Sequence, residues 1–464
     1  MKKLVTLLLA AGMTCAVSAP ASAVDVKMDG QYLFTFISGE RIGSGDNYDM
    51  AGQRLRLGMT FTASENLSGY LQLQAGISQN ANNGYDWGTD DTGRNSYLAV
   101  RQSYIDWMIP QTTIKVRMGK HLFGLPEDAF GKNAIMHPGW AGRDGIVLTS
   151  PVTDWLGLTA FWNRGAYDNG EDDIFNNDTV HAGKTDFFGL AADMKFDGFS
   201  FTPYVMYGAV DRGADVKAST DASAAIVSGK PATLSADGNA YWFGATAAMT
   251  YFDPFVLKIS GAYGLTSYEG SAFMSQDDKV VGEMNMNDRS GWYVQAKASY
   301  KTAYGTPVLG AWYGSGDDSD SQYARQGWIP TNNGRFHPTV GFTAGEYGLY
   351  DPTVRHNIAG TWGVQIGLED VSFLEDLTHD FTVTMFKGTN SDKWSSNMAM
   401  SDYYMTNSDT AVEFNISNTY QIYKNLAANL ELAYIINDFD KDDHSGVKMD
   451  KDGWDVALSF AYKF

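Results

Sequence analysis

The chain ends in Trp454-Asp455-Val456-Ala457-Leu458-Ser459-Phe460-Ala461-Tyr462-Lys463-Phe464. Large apolar residues occupy every second position of this stretch, and small or polar residues lie between them. Successive side chains of a β-strand point to opposite faces, so the alternation predicts a strand with one apolar face and one polar face. Its length matches the roughly 9–11 residues of a tilted strand that crosses a bilayer.

The last residue of the chain is aromatic. Phe464 is preceded by Tyr462 and Phe460 on the same predicted face. A terminal Phe with apolar residues at alternate positions before it resembles the signal that the outer-membrane barrel assembly machinery reads. We therefore expect Phe460, Tyr462 and Phe464 to act as an assembly signal.

The other end of the chain has the features of a secretory signal peptide. Met1-Lys2-Lys3 is positively charged, residues 4–23 carry no charge, and Ala21-Ser22-Ala23 forms a cleavage site. We expect residues 1–23 to be removed and residues 24–464 to form a single domain. The only cysteine, Cys15, lies in the predicted signal, so we expect no disulfide or thiol chemistry in the mature protein.

The composition restricts how the protein could cross a membrane. After residue 23 there is no uncharged apolar run of about 18 residues, so the sequence offers no transmembrane helix. The mean hydropathy is only −0.27. A low average is expected when lipid-facing and water-facing residues alternate, and the 49 Gly, 26 Tyr, 25 Phe and 12 Trp also favour a barrel. The net charge of −20 argues against a nucleic-acid partner.

One unit recurs along the chain: a strand, a short turn, a second strand and a long polar loop. The predicted strands are 31–37, 53–63, 71–77, 97–109, 113–119, 145–150, 156–163, 185–196, 199–209, 241–251, 255–264, 292–300, 306–313, 358–368, 381–387, 412–420, 426–436 and 454–464. This pattern predicts an all-β, transmembrane antiparallel barrel of 16–18 strands, with 18 favoured. Turns would be periplasmic, long loops extracellular, and the first and last strands would pair. A soluble β-sandwich or propeller is the alternative.

Several cations lie on the polar faces of predicted strands. They are Arg54, Arg56, Lys115, Arg117 and Lys297. A cation at the lipid midplane costs roughly 2–4 kcal/mol, so their phase predicts that they face the lumen as a basic pore wall. The alternative is that they pair with lumenal acids such as Asp106 and only hold the wall together, and the two roles are compatible.

The loop after the fifth strand, residues 120–144, is unusually apolar for a loop exposed to water. We expect it to fold inward as a constriction loop and to bring Glu127 and Asp128 opposite the cations. Opposed charges across a constriction would filter solutes by size and polarity. The alternative is an outward loop that packs on a neighbouring subunit.

Neither a metal site nor a catalytic site is predicted. Asp438, Asp440 and Asp442 have the spacing of a calcium loop, but Asp443 stands where Gly is required and Met449 where Glu is required. We interpret the acidic loops as solvated, with divalent ions as possible bridges to lipopolysaccharide. The seven His are scattered, and there is no G-x-S-x-G or H-E-x-x-H motif, so we expect no cofactor and no enzyme.

The chain resembles a known family over its whole length. The stretches that carry the resemblance are Tyr104-Ile105-Asp106-Trp107, Lys115-Val116-Arg117-Met118-Gly119, Gly305-Thr306-Pro307, Trp312-Tyr313 and Gly314-Ser315-Gly316-Asp317-Asp318. They are similar to those of the outer membrane homotrimeric porins of sulfate-reducing bacteria. The resemblance implies a homotrimer in the outer membrane of a Gram-negative bacterium, with passive diffusion of small hydrophilic solutes.

Three hypotheses for the function remain. The first is a diffusion porin whose basic wall and constriction loop set the selectivity. The second is a barrel used mainly as an adhesin or structural surface protein, with a lumen closed by loops. The third is a hydrolase on the barrel rim, which requires convergent Ser, His and Asp side chains.

Overall fold

The computed structural model describes residues 24–43, 45–75, 85–86, 98–138, 142–167, 184–210, 225–227, 230–276, 279–285, 288–319, 326–332, 334–341, 358–392, 405–440 and 451–464. The predicted signal peptide, residues 1–23, lies outside this part of the chain.

Twenty-one strands occur in the described residues. They are β1 (Asp25–Glu40), β2 (Asn47–Ser64), β3 (Leu67–Ala75), β4 (Tyr85–Asp86), β5 (Leu98–Met108), β6 (Lys115–His121), β7 (Arg143–Thr153), β8 (Leu156–Tyr167), β9 (Lys184–Phe196), β10 (Phe199–Val210), β11 (Ala225–Val227), β12 (Lys230–Met249), β13 (Phe255–Gln276), β14 (Lys279–Asn285), β15 (Arg289–Tyr300), β16 (Thr306–Gly314), β17 (Thr361–Leu374), β18 (Leu377–Gly388), β19 (Thr410–Tyr423), β20 (Leu426–Asp438) and β21 (Gly453–Lys463).

Eighteen of these strands form a closed antiparallel ring, and the short strands β4, β11 and β14 pair onto it from loops. Each ring strand pairs with the next ring strand along the chain, and β21 closes the ring on β1, from Gln31↔Lys463 to Glu40↔Trp454. Closure gives the backbone groups of every ring strand partners on both sides. The predicted barrel, its favoured strand number and its closing pair are therefore confirmed.

The two faces of the ring differ as the period-two pattern requires. On β13, Ile259 and Tyr263 are 44% and 43% exposed on the outer face, whereas Ser260 between them is 2% exposed on the inner face. One end of the ring has short turns such as Asp197-Gly198, where Gly198 takes φ 65°. Glycine suits this left-handed conformation because it has no Cβ.

The strand bounds depart from the sequence prediction mainly at their ends. β1 begins at Asp25, six residues before the predicted 31–37 strand, and β17 begins at Thr361 and runs to Leu374. β12 and β13 extend beyond the predicted 241–251 and 255–264 strands as a ribbon at the loop end. Among the described residues, no helix is long and apolar enough to span a membrane.

Two loop segments lie inside the ring and carry its apolar core. We call residues 122–138 the first inner loop, and residues 326–341, of which 333 is not described, the second inner loop. Ile135 and Met136 of the first and Ile329 and Phe336 of the second are at most 2% exposed and belong to one hydrophobic cluster. The interior is therefore partly filled by loops packed on each other.

Candidate functional site: the lumen

Three arginines on neighbouring strands form one patch of the inner wall, which we call the arginine wall. Arg54 and Arg56 lie on β2 and Arg101 lies on β5. Each donates a hydrogen bond to a glutamine: Arg54 to Gln31 Oε1 (3.3 Å), Arg56 to Gln74 Oε1 (2.8 Å) and Arg101 to Gln72 Oε1 (2.7 Å). At Arg54 and Arg56 the neutral amide orients the guanidinium group without cancelling its charge.

Arg54 and Arg56 form no ion pair with any described residue. Both are partly buried on the inner face, and the three guanidinium groups are near enough for their charges to interact. The structure therefore brings together two of the predicted wall cations and adds Arg101, which sequence reasoning missed.

The predicted cations of β6 have a different environment, which we call the Asp106 group. Asp106 of β5 accepts two hydrogen bonds from Arg117, at 2.8 and 2.7 Å, and lies 2.9 Å from Lys115 Nζ. The Asp106 side chain is 12% exposed, while Lys115 and Arg117 remain 46% and 33% exposed. The predicted pairing with Asp106 is observed here, since the carboxylate joins β5 to β6, and one positive charge of the group is left over.

Two tyrosine rings pack beside the Asp106 group on the inner wall. The Arg117 guanidinium lies over the Tyr104 ring, 4.2 Å from its centroid, and Tyr70 packs against Tyr104 with centroids 5.4 Å apart. A cation over a ring face gains electrostatic attraction, so Tyr104 holds Arg117 in place from the side that Asp106 leaves open.

Lys297 also lies on the inner face, opposite Lys258 in the register between β15 and β13. Its Nζ lies 2.8 Å from Glu369 Oε1 of β17, and both side chains are roughly a quarter to a third exposed. Lys297 is thus an inner-wall residue in an ion pair, and it adds less free charge to the lumen than Arg54 and Arg56.

The first inner loop crosses the lumen and docks on the wall opposite the arginines. The Ala129 N–H donates to Ser260 Oγ of β13 (2.9 Å), and the Phe130 N–H donates to Gln295 Oε1 of β15 (3.3 Å). In the ring of eighteen, β15 stands twelfth and β3 third, so the docking wall is half a turn from the arginine wall. The loop after the fifth ring strand therefore folds inward, as predicted.

The two predicted acids of this loop have opposite environments. Glu127 is exposed, whereas Asp128 is 2% exposed and its Oδ2 accepts hydrogen bonds from Tyr293 Oη and the Ala134 N–H, both at 2.8 Å. The prediction that Asp128 faces the cations is wrong, because its carboxyl group is consumed by the contact between loop and wall. Burial raises the pKa of Asp128 to about 7.

The second inner loop was not predicted to enter the lumen. Trp242 Nε1 of β12 donates to the Pro330 carbonyl (2.7 Å), and the Gly341 N–H donates to Glu413 Oε1 of β19 (2.7 Å). The two inner loops join through the Asn332 N–H and the Ile135 carbonyl (2.7 Å). Both inner loops are thus held to the wall and to each other, and the first docks half a turn from the arginine wall.

More cations lie where the inner loops meet β7. Arg143 donates to the Asn332 carbonyl (3.0 Å). Burial first, and then the charges of Lys132, Arg335 and Arg143, lower the pKa of His137 to about 4. His137 is therefore neutral near pH 7, and the junction of the loops is a region of positive potential.

The predicted assembly signal lies on the outer face at the turn end. Tyr462 and Phe464 are 41% and 43% exposed, their ring centroids are 5.7 Å apart, and Phe464 exchanges backbone hydrogen bonds with Gly30. Phe460 is less exposed on the same face. Ser459 and Asp455 of β21 point inward as expected, but at 0% and 1% exposure they are covered and do not line water.

Within the described residues no group of three or more His, Cys, Asp or Glu side chains could hold a metal ion. Most of the acidic segment 438–449 lies outside these residues.

Comparisons with known proteins find likeness in structure but not in sequence. No family model matches the chain, and no curated protein matches it. Among solved structures, Pseudomonas aeruginosa OpdL matches with a TM-score of 0.54 at 13% identity, over 95% of this chain and 99% of that one. Acinetobacter baumannii OccAB4 has a TM-score of 0.54 at 11% identity, over 96% and 100% of the two chains.

A third structure is that of Pseudomonas aeruginosa OccK2 (OpdF) in complex with glucuronate, with a TM-score of 0.53 at 11% identity over 95% of this chain and 98% of that one. These proteins are outer-membrane porins of Gram-negative bacteria. At such identities the likeness shows a shared fold, and this chain therefore has the eighteen-stranded barrel fold of outer-membrane porins.

Proposed function

We propose that the protein is an outer-membrane porin, a water-filled channel through which small hydrophilic solutes and ions diffuse passively. The observation that carries this proposal is the arginine wall on the inner face of the barrel, half a turn from the wall on which the first inner loop docks. Arg54 and Arg56 have only neutral partners, so their charge acts on whatever passes. A barrel of this size is wide enough for an aqueous path beside folded-in loops.

The same wall supports a preference for anionic solutes. Asp106 is outnumbered by Lys115 and Arg117, and Arg54 and Arg56 add two more cations, so positive charge prevails on this part of the inner wall. Passing anions would exchange hydration for guanidinium contacts. Glucuronate, with which OccK2 forms its complex, is a suitable probe because glucose differs from it mainly by lacking the carboxylate.

The finer features of the proposal come from the sequence. They are membership of the homotrimeric porins of sulfate-reducing bacteria, export by the signal peptide, insertion by the barrel assembly machinery and contact with lipopolysaccharide in the outer membrane. The exposed aromatic and aliphatic residues of the outer face support a lipid environment. Chemical cross-linking in mild detergent tests the trimer, and a product no larger than one chain would contradict it.

Conductance in planar lipid bilayers is the main test of the function. We expect discrete current steps, and liposomes containing the protein should swell faster in glucuronate than in glucose. Protein that inserts into the bilayer but gives no steps would contradict a porin and favour the adhesin or structural alternative. Faster swelling in glucose would leave the channel but remove the preference for anions.

A further inference from the structure

We infer that Asp128 is a protonation-dependent latch, which holds the first inner loop on the wall at β13 and β15 when neutral and releases it into the lumen when ionised. This inference rests on the proposed channel function and adds a form of regulation to it. The geometry that carries it is a carboxyl group placed at the joint between a loop and the barrel.

The first step is the position of the carboxyl group. Asp128 Oδ2 accepts from Tyr293 Oη of β15 at 2.8 Å and lies 3.4 Å from Gln295 Nε2 of the same strand. The Ala129 N–H binds Ser260 of β13 beside it. These contacts fasten the loop to two strands of the wall at one place, and Asp128 lies at their centre.

The second step is the connection to the rest of the loop. The same oxygen of Asp128 accepts the Ala134 N–H, and the neighbouring Ile135 carbonyl accepts the Asn332 N–H of the second inner loop. Asn133 fixes this turn, because its Oδ1 accepts the N–H groups of Ile135 and Met136. A loosened Asp128 therefore loosens the contact between the two inner loops as well.

The third step is the charge. The titratable groups that face Asp128 are the phenols of Tyr293 on β15 and Tyr204 on β10, and β13 contributes the hydroxyl of Ser260. Phenols stay neutral at physiological pH, so neither supplies a countercharge. A buried carboxylate without a countercharge is costly, which is why burial raises the pKa of Asp128 from 3.8 to about 7.

The sign of the effect follows from this shift. The pKa is higher in the docked loop than in a released one, so docking is most stable below about pH 4. It weakens as the pH rises toward 7 and changes no further above that value. Because the docked loop lies against the inner wall at β13 and β15, a released loop can only move away from that wall, into the lumen. We therefore expect more interruptions of the current at higher pH.

Single-channel recording between pH 4 and pH 8 tests the latch. The wild-type protein should show a severalfold rise in brief current interruptions across this range, and Asp128→Asn should show the same rate of interruptions at every pH. The matched control is Glu127→Gln, which removes the adjacent exposed acid and should keep the wild-type pH dependence.

A second variant covers the case in which Asp128→Asn does not assemble. Ala129→Cys with Ser260→Cys places a disulfide at the same joint, and its oxidised form should abolish the rise while reduction restores it. The latch would be overturned by a wild-type rate that is flat between pH 4 and pH 8, or by an Asp128→Asn or oxidised double-Cys channel that keeps the rise. A protein with no channels at any pH contradicts the porin function instead.

Discussion

The arginine wall and the Asp106 group are neighbours on one inner surface, yet they use their cations in different ways. Arg56 binds the neutral Gln74 amide, whereas Arg117 binds a carboxylate through two hydrogen bonds. Each partner orients a guanidinium group on the inner wall. Only the arginine that binds an amide keeps its full positive charge available to a passing ion.

Inward orientation alone therefore does not make a charged residue act on solutes. The partner decides whether the charge is free, and the loops decide whether the residue meets water. Four substitutions at the arginine wall and the Asp106 group test whether the partner of a cation sets its effect on solutes.

Reversing the charge of the arginine wall should have the largest effect on ion selectivity. Arg54→Glu with Arg56→Glu replaces two free positive charges by negative ones. We expect the reversal potential in a tenfold salt gradient to move toward cations by a sizeable fraction of the limit of about 59 mV for a monovalent ion. Planar-bilayer recording measures this shift.

The control for this pair carries the same change of charge away from the lumen. Lys301 and Lys424 are exposed in turns, so Lys301→Glu with Lys424→Glu should leave the reversal potential almost unchanged. Equal shifts in the two double variants would mean that Arg54 and Arg56 do not face the permeation path.

Asp106→Asn should leave Lys115 and Arg117 without an acidic partner, as Arg54 and Arg56 are. The loss of the carboxylate frees Lys115 and Arg117, so we expect the reversal potential to move toward anions. Losing charge-assisted hydrogen bonds should also destabilise the barrel by about 1.5–3 kcal/mol, because Arg117 is left with a neutral partner. Bilayer recording measures the first effect and thermal unfolding in detergent the second. Asp154→Asn, in an exposed turn, should change neither.

Arg117→Lys should separate the effect of the hydrogen-bond geometry at residue 117 from the effect of its positive charge. Lysine keeps the positive charge but cannot make the two parallel hydrogen bonds to Asp106, so we expect an unchanged reversal potential and a loss of about 1 kcal/mol in stability. Thermal unfolding measures this loss, and Lys115→Arg serves as the reciprocal control. A large change in selectivity would contradict the view that charge, more than hydrogen-bond geometry, is what Arg117 contributes to the lumen.

Gln74→Leu should have the smallest effect. It removes the acceptor of Arg56 without changing any charge, so the sign of the selectivity should persist. The expected loss of stability is about 0.5–1.5 kcal/mol. A reversed selectivity would show that the orientation of Arg56, more than its charge, controls the path.

The strands could be predicted from the sequence because period-two alternation is a local property of each segment. Arg54 and Arg56 follow strict alternation and were placed on the correct face. Arg101 was missed because the register of β3 and β5 shifts between Gln72 and Leu73, and the extra residue brings Arg101 inward next to Gln102. A bulge of this kind leaves no mark in the alternation of a single strand.

The interior could be predicted only in part because its contacts join distant segments. Glu127 and Asp128 are adjacent acids with no local difference, and only the approach of β15, 165 residues away, distinguishes them. The second inner loop did carry a signal. Trp328, Ile329 and Phe336 are large apolar residues within a polar loop, the same criterion that predicted the first inner loop.

The bridge formed by the two inner loops also has a consequence for the order of folding. Ala129 meets Ser260 across 131 residues, and Arg143 meets Asn332 across 189. Such contacts cost much loop entropy until the intervening strands have already been paired. The strands that carry both ends of the bridge must therefore stand in place first. The narrowing of the lumen is a late event, and a barrel still being assembled passes through a wider form than the finished one.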